Sequence, residues 1–304
     1  MTLFRRCEGV FCRVYGTIRL LKNGFPQPAI AVITKLNTRR NVYLIRPFSS
    51  LVLCAVLLLS AMPSSARYLP VDDKTFTAEQ IVESVIFAYG TRPALEHIRR
   101  NGIERGRITR VGAQGNPEEA NYERRFVRGE SLEKDKVRLD QKLASMEYSL
   151  VYGDGQLFGI INGATFTPRQ DAASNFISQH HHSIDSLLRY KECSSTITLV
   201  GKEQQKGLDL YVVDLVDKEK RKTRYYISSR TLRILWLEYE DTPSTGGAPV
   251  KFTRRFLDYR VVQQTLVPYH SVLLEDGRQT QETHINNITF GAKFDESIFN
   301  RPEA

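Results

Sequence analysis

From Ile103 onward apolar and polar residues take turns along the chain, and this alternation limits the fold more than any other feature of the sequence. Lys136-Val137-Arg138-Leu139-Asp140, Met146-Glu147-Tyr148-Ser149-Leu150-Val151-Tyr152 (apolar at the even positions) and Ser195-Thr196-Ile197-Thr198-Leu199 all show it. Successive side chains of a strand point to opposite faces, so a period of two with one polar face predicts antiparallel strands covered on one side only. Turn residues punctuate the series at Gly153-Asp154-Gly155, Gln205-Lys206-Gly207, Asp217-Lys218-Glu219, Ser228-Ser229-Arg230, Thr242 to Pro249 and Asp276-Gly277. That spacing predicts about eleven strands.

Two stretches break the pattern. Thr77-Ala78-Glu79-Gln80 is a capping box, with Ile81, Val82, Val85, Ile86 and Tyr89 following at helical spacing and Gly90 closing the helix. Pro93 then opens a short helical stretch carrying Leu95 and Ile98. Asp171 to Glu192 contains neither Gly nor Pro and carries Phe176, Ile177, Ile184, Leu187 and Leu188, which predicts a further amphipathic helix. The expected fold is mainly β (α+β): a curved antiparallel sheet, an incomplete barrel, with helices lidding its concave face. So few helices cannot cover so many strands, and an apolar hollow able to hold an apolar ligand is expected between them.

The amino terminus is a different kind of sequence. Arg39, Arg40 and Arg46 precede the apolar run Leu51–Leu59, and small residues follow at Ser64 and Ala66. This is the pattern of a secretory signal peptide cleaved after Ala66, which predicts export to the periplasm. The alternative is an uncleaved anchor, although the apolar core is only about half of the roughly 20 residues a span needs. Residues 1–40 are long for a signal's basic region and read as an extended leader or a start set too early. Residues 67–304 are then expected to form a single domain.

Setting the leader aside changes the electrostatics. Nine of the 43 Lys/Arg and one of the 34 acids lie before residue 67, leaving 34 basic against 33 acidic side chains. The formal +9 of the whole chain therefore belongs almost wholly to the leader, and a nucleic-acid partner is not expected. Cys7, Cys12 and Cys54 also lie in the leader, so Cys193 is alone and an internal disulfide or Cys-rich metal site is excluded.

Several segments resemble LolA/LolB-like proteins, the outer-membrane lipoprotein-sorting carriers and their periplasmic relatives. Thr77-Ala78-Glu79-Gln80-Ile81 and Ala88-Tyr89-Gly90-Thr91-Arg92-Pro93-Ala94-Leu95-Glu96-His97-Ile98 look like their opening helix. Tyr225-Tyr226-Ile227 with Leu232-Arg233-Ile234-Leu235, and Asp258-Tyr259-Arg260 with Leu266-Val267-Pro268-Tyr269, are similar to two of their hairpins. Ile285-Asn286-Asn287-Ile288-Thr289-Phe290 and Asp295-Glu296-Ser297-Ile298-Phe299 resemble their closing strand and tail. The resemblance covers most of residues 75–302. Tyr89 in place of a glycine, and Gln263-Gln264 in place of a tighter Asn-Gly or Asp-Gly turn, mark a divergent member. It implies an eleven-stranded incomplete barrel whose cavity takes up acyl chains or related lipids.

Catalytic signatures are lacking. There is no Gly-x-Ser-x-Gly, His-Glu-x-x-His or Gly-x-x-x-x-Gly-Lys-Ser/Thr segment. Gly153-Asp154-Gly155-Gln156 lies between alternating strands and reads as a hairpin turn, and Cys193 as a packed or idle thiol. The three of His180-His181-His182 cannot converge on one metal from a helix, where consecutive residues point about 100° apart, and read as a solvated helix face, with two of them joined by a distant His97, His270 or His284 as the metal-binding alternative. No metal or cofactor is expected. Lys218 to Arg224 reads as a solvated hairpin tip, with docking to acidic headgroups or a partner as the alternative. Ile234-Leu235-Trp236-Leu237-Glu238-Tyr239 fits either a strand covered on both sides or a wall of the cavity.

The chain therefore predicts a binding protein rather than an enzyme: a monomeric carrier of lipid or acylated lipoprotein. Its expected cavity wall comprises Leu139, Tyr148, Leu150, Tyr152, Ile197, Leu199, Leu235, Trp236, Leu237, Tyr239, Phe252, Phe256, Val272 and Leu274. Ile81, Val85, Ile86 and Tyr89 are expected to form a movable lid. The alternative is a non-catalytic envelope module with a filled barrel that binds a protein partner.

Overall fold

The computed structural model describes residues 76–112, 115–242 and 246–302, so the expected leader and its cleavage point lie outside the described residues. It contains one antiparallel sheet of thirteen strands, curved and unclosed. Strands β1 to β6 (Asn101–Val111, Pro117–Val127, Lys136–Lys142, Glu147–Gly153, Gln156–Ile161 and Ala164–Phe166) run outward from the middle of the sheet to one edge. Strands β7 to β13 (Thr196–Gln205, Leu208–Val216, Lys222–Ser228, Ile234–Asp241, Val250–Val262, Thr265–Glu275 and Arg278–Phe290) start at the other edge and work back until β13 pairs with β1. The surplus over about eleven strands lies where alternation is hard to read. β2 is crowded with charge, and β6 has only three residues.

Hairpin chemistry sets the registers. Asp154-Gly155, Asn162-Gly163, Lys206-Gly207 and Asp276-Gly277 all place two residues at positive φ, the turn whose twist matches that of the strands it joins. Gln263-Gln264 adopts the same conformation without a glycine, at φ 46° and 65°. Gln263 compensates through its amide, which accepts from Phe290 N (2.7 Å) and donates to Phe290 O (3.2 Å). At the seam between the two meanders, β1 bulges between Arg105 and Gly106, where a Cβ on Gly106 would collide with the His284 carbonyl.

Helices cover the inner face. Helix α1 (Ala78–Tyr89) begins with the expected capping box at Thr77, ends at Gly90, and is followed by α2 (Arg92–Ile98). Its apolar stripe sinks into the main core beside Leu237, Tyr239 and Phe252, with Val82, Val85 and Tyr89 wholly buried. The connection from β6 to β7 links the two edges of the sheet. Instead of one helix over 171–192 it contains α3 (Gln170–His181) and α4 (Ile184–Leu188), because Ser183 leaves the helical conformation and caps α4 with Ser186. On the outer face, Val151 and Phe158 are covered by the tail residues Phe294, Ile298 and Phe299.

Candidate functional site

A hollow of about 630 Å³ lies on the inner face between the central strands and α3. Asp171, Ala172, Asn175, Phe176, Gln179 and His180 border it, the spacing of one helical face. Its apolar wall includes Ile108, Phe126, Val137, Leu139, Leu150 and Phe290. These side chains alternate with outward-pointing neighbours, so the hollow follows directly from the period-two pattern.

Its wall is not purely apolar. Arg99, Arg110, Arg124, Arg128 and Arg254 all reach it, as do Glu104, Asp135 and Asp185. Most of the charges pair with one another. Asp185 accepts from Arg128 at 2.6 Å and lies 3.6 Å from Arg99. Burial pulls the Asp185 carboxyl upward, but Arg128 and Arg99 outweigh it and hold the group well below the usual carboxylate range. Asp135 behaves oppositely: burial raises it despite two contacts from the Arg189 guanidinium at 2.9 and 3.0 Å. Glu104 accepts from the Tyr122 hydroxyl at 2.8 Å and faces Arg124 at 3.6 Å.

Two cations form no ion pair with a carboxylate among the described residues. Arg110 donates to the amide oxygens of Gln141 at 2.7 Å and Gln281 at 3.2 Å. Arg254 has neither a hydrogen bond nor an ion pair among the described residues, and its guanidinium lies 5.6 Å from the Phe256 ring. Burial lowers the pKa of both, a sign that each charge is partly stripped of water. Arg99 Nε, Arg128 Nε and Gln141 Nε2 are further buried donors with no acceptor. A cavity with a spare positive charge and free donors around Arg110, Arg254 and Gln141 suits a molecule carrying an anionic or acceptor-rich group at one end.

The expected cavity wall divides into four groups. Leu139, Tyr148, Leu150 and Phe256 do line the hollow. Tyr152 is buried beside it under α3, its ring 6.3 Å from Phe176 and 5.2 Å from His180. Leu237, Tyr239 and Phe252 lie in the main core beneath α1 and α4, with Ile197 and Leu199 packed against it from β7. Tyr239 stacks on Phe252 at 5.0 Å and on His182 at 4.0 Å, leaving that end of the sheet filled.

The remaining four need correction. Leu235 and Trp236 belong to the outer face, where Trp236 stacks on Tyr226 at 4.7 Å. A bulge between Ile234 and Trp236 puts Ile234 and Leu237, three residues apart, on the same side. Val272 and Leu274 also point outward, since Ser271, Leu273 and Glu275 take the inward positions of β12. The movable lid is misplaced too. α1 contributes nothing to the wall of the hollow, and its buried stripe holds it down by about 1.5–3 kcal/mol for each large side chain. The element over the hollow is α3.

His181 and His182 are buried and His180 nearly so, rather than solvated. They splay as expected from a helix end. His180 Nε2 meets Leu132 O at 3.0 Å, His182 Nδ1 meets Thr223 Oγ1 at 2.6 Å, and His181 Nδ1 has no hydrogen bond among the described residues, lying 3.9 Å from Glu133 Oε1. Burial depresses all three to about 4. The tip at 218–224 borders a second, open depression of about 720 Å³. There Lys222 and Arg224 are held by Asp214, and Lys251 by Glu238. Its cations are largely neutralised by local acids, unlike Arg254.

No family model and no curated protein matches the sequence. Solved structures do match in fold. A putative outer-membrane lipoprotein-sorting protein domain from Vibrio parahaemolyticus superposes at TM-score 0.51 with 12% identity, over 73% of this chain and 95% of that one. A LolA superfamily protein from Nitrosomonas europaea does so at 0.52 and 12%, over 74% and 98%. A DUF1329 family protein from Desulfovibrio piger gives 0.51 and 11%, over 73% and 97%. The chain has the fold of these proteins, and at such identity the likeness concerns the fold alone.

Proposed function

We propose, from the fold shared with LolA-superfamily and lipoprotein-sorting domains, that this protein is an exported carrier for an amphiphile with an anionic group. The observation that carries the reading is the 630 Å³ hollow, whose largely apolar wall also includes Arg254, a cation with no ion pair among the described residues. An acyl chain would lie against Phe126, Leu139 and Phe290, and its polar end would meet Arg254, Arg110 and the free donor of Gln141. Such an arrangement binds and shields cargo without chemistry. An acyl chain, free or on a lipoprotein, is the cargo class; export to the periplasm follows from the leader pattern, and a monomer is the expected state. The alternative of a barrel filled by its own side chains is harder to reconcile with a cavity of this size.

Native mass spectrometry of the exported protein, purified without detergent, tests the reading. Bound masses that dissociate as lipid or acylated peptide are expected. A clean apo mass, followed by no uptake of a fluorescent fatty acid, would overturn it and turn the search toward an envelope protein partner.

A further inference from the structure

The same two strands that wall the hollow carry a second constellation on their opposite face. His270 on β12 and His284 on β13 are directly paired across the sheet, and Glu282 lies two residues before His284 on its side of the strand. Their neighbours Ser271, Thr283 and Ile285 point into the hollow, so alternation places all three outside. The imidazoles stack with centroids 4.1 Å apart and planes 15° apart. Both Nε2 atoms converge on one oxygen, Glu282 Oε1, at 2.7 and 3.1 Å. The three donor atoms lie within 4.8 Å of one another.

We propose that His270, His284 and Glu282 bind a divalent transition cation of the imidazole-preferring class, zinc foremost. Two neutral imidazoles and a carboxylate are a donor set that zinc, copper and nickel favour and that magnesium and calcium do not. Tetrahedral zinc with bonds near 2.0–2.1 Å holds its ligand atoms about 3.3 Å apart. The present N–O separations fall just short of that, so rotamer adjustments of a fraction of an ångström admit the ion. The backbone is already set by hydrogen-bonded strands rather than a loop, which limits the ordering that binding would require. All three side chains are partly exposed, at 24%, 40% and 32%, leaving the ion a route in and room for a water as fourth ligand. Alternation reveals these residues as outward-facing but cannot show that residues 12 and 14 apart meet. Only the β12–β13 register does so.

Isothermal titration of zinc into chelator-treated full-length protein without a polyhistidine tag tests the site, with X-ray absorption at the zinc edge as second readout. The expected result is one ion per chain, two imidazole nitrogens in its shell, and affinity weakened more than about 100-fold by His284→Ala, since loss of an outer-shell partner alone costs roughly 10–100-fold. His97→Ala is the control and should bind as the parent does. Absence of binding, or binding that persists in a His270→Ala/His284→Ala variant, overturns the proposal. If that variant fails to fold, an absorption spectrum of the parent without two imidazole ligands overturns it independently.

Discussion

Arg254 occupies an inward position between Phe252 and Phe256, where the strand's own pattern calls for an apolar side chain. A partly desolvated guanidinium with no ion pair among the described residues is a standing cost to the fold, and an anionic cargo would offset it. Arg254→Met should therefore weaken binding of oleate about tenfold or more, the worth of a charged hydrogen bond at roughly 1.5–3 kcal/mol, while leaving oleyl alcohol unchanged. Fluorescence displacement reads both, and equal losses for the two ligands would place the head group elsewhere. The histidines make a different statement. His180, His181 and His182 sit at about 4 when folded, against 6.5 ordinarily, so between these values the unfolded chain takes up protons that the folded one refuses. Their contribution to stability is whole above 6.5 and is lost as pH falls toward 4, at up to about 1.4 kcal/mol per pH unit for each. His181→Leu, which also removes a buried nitrogen without a hydrogen bond, should flatten this slope by one proton in urea titrations at pH 7.5, 6 and 5. An unchanged slope would mean that His181 titrates normally in the native state.

The β11–β12 hairpin bends through two glutamines at positive φ, a conformation that penalises any side chain. The two are not equivalent. Gln264→Gly should stabilise the protein by about 0.5–1 kcal/mol, as relief of the left-handed strain exceeds the entropy added to the unfolded chain. Gln263→Gly should instead destabilise it by about 1 kcal/mol, through loss of both bonds to Phe290. Denaturant midpoints for the pair give the order directly. Elements of this kind also show what could be read beforehand. Strict alternation in β3 and β4 put Leu139, Tyr148 and Leu150 on the proper face, and the capping box at Thr77 opened α1 as expected. Alternation fails where both faces are apolar. Nothing in Ser271-Val272-Leu273-Leu274 says which set points inward, and the bulge after Ile234 switches faces at the start of β10 without a glycine to announce it. The polar wall was legible in principle, because Gln141 continues the inward series Val137-Leu139, and Arg110 follows Ile108. A polar residue at an inward position is the signal, and the expectation of an apolar cavity hides it.

Across the whole molecule, one covalent connection, through α3 and α4, carries the chain from one edge of the sheet to the other, and it is also the cover over the hollow. Cargo entry is thus expected to involve α3 rather than α1. Amide exchange should show it, with faster exchange in α3 than in α1 for the empty protein, and slowing confined to α3 when a fatty acid is added. Comparable protection of the two helices before and after loading would mean that the hollow opens elsewhere. The seam between β1 and β13 has a consequence in time. Gly102 pairs with Phe290, so the middle of the sheet joins residues from opposite ends of the described chain. During synthesis β1 emerges early but lacks this neighbour until almost every other strand has been made. For that interval the future centre of the sheet is a bare edge, able to pair with another chain. Maturation should therefore be slow and concentration-sensitive, and a nascent chain arrested before Arg278 should depend on a holding chaperone that the finished protein no longer needs.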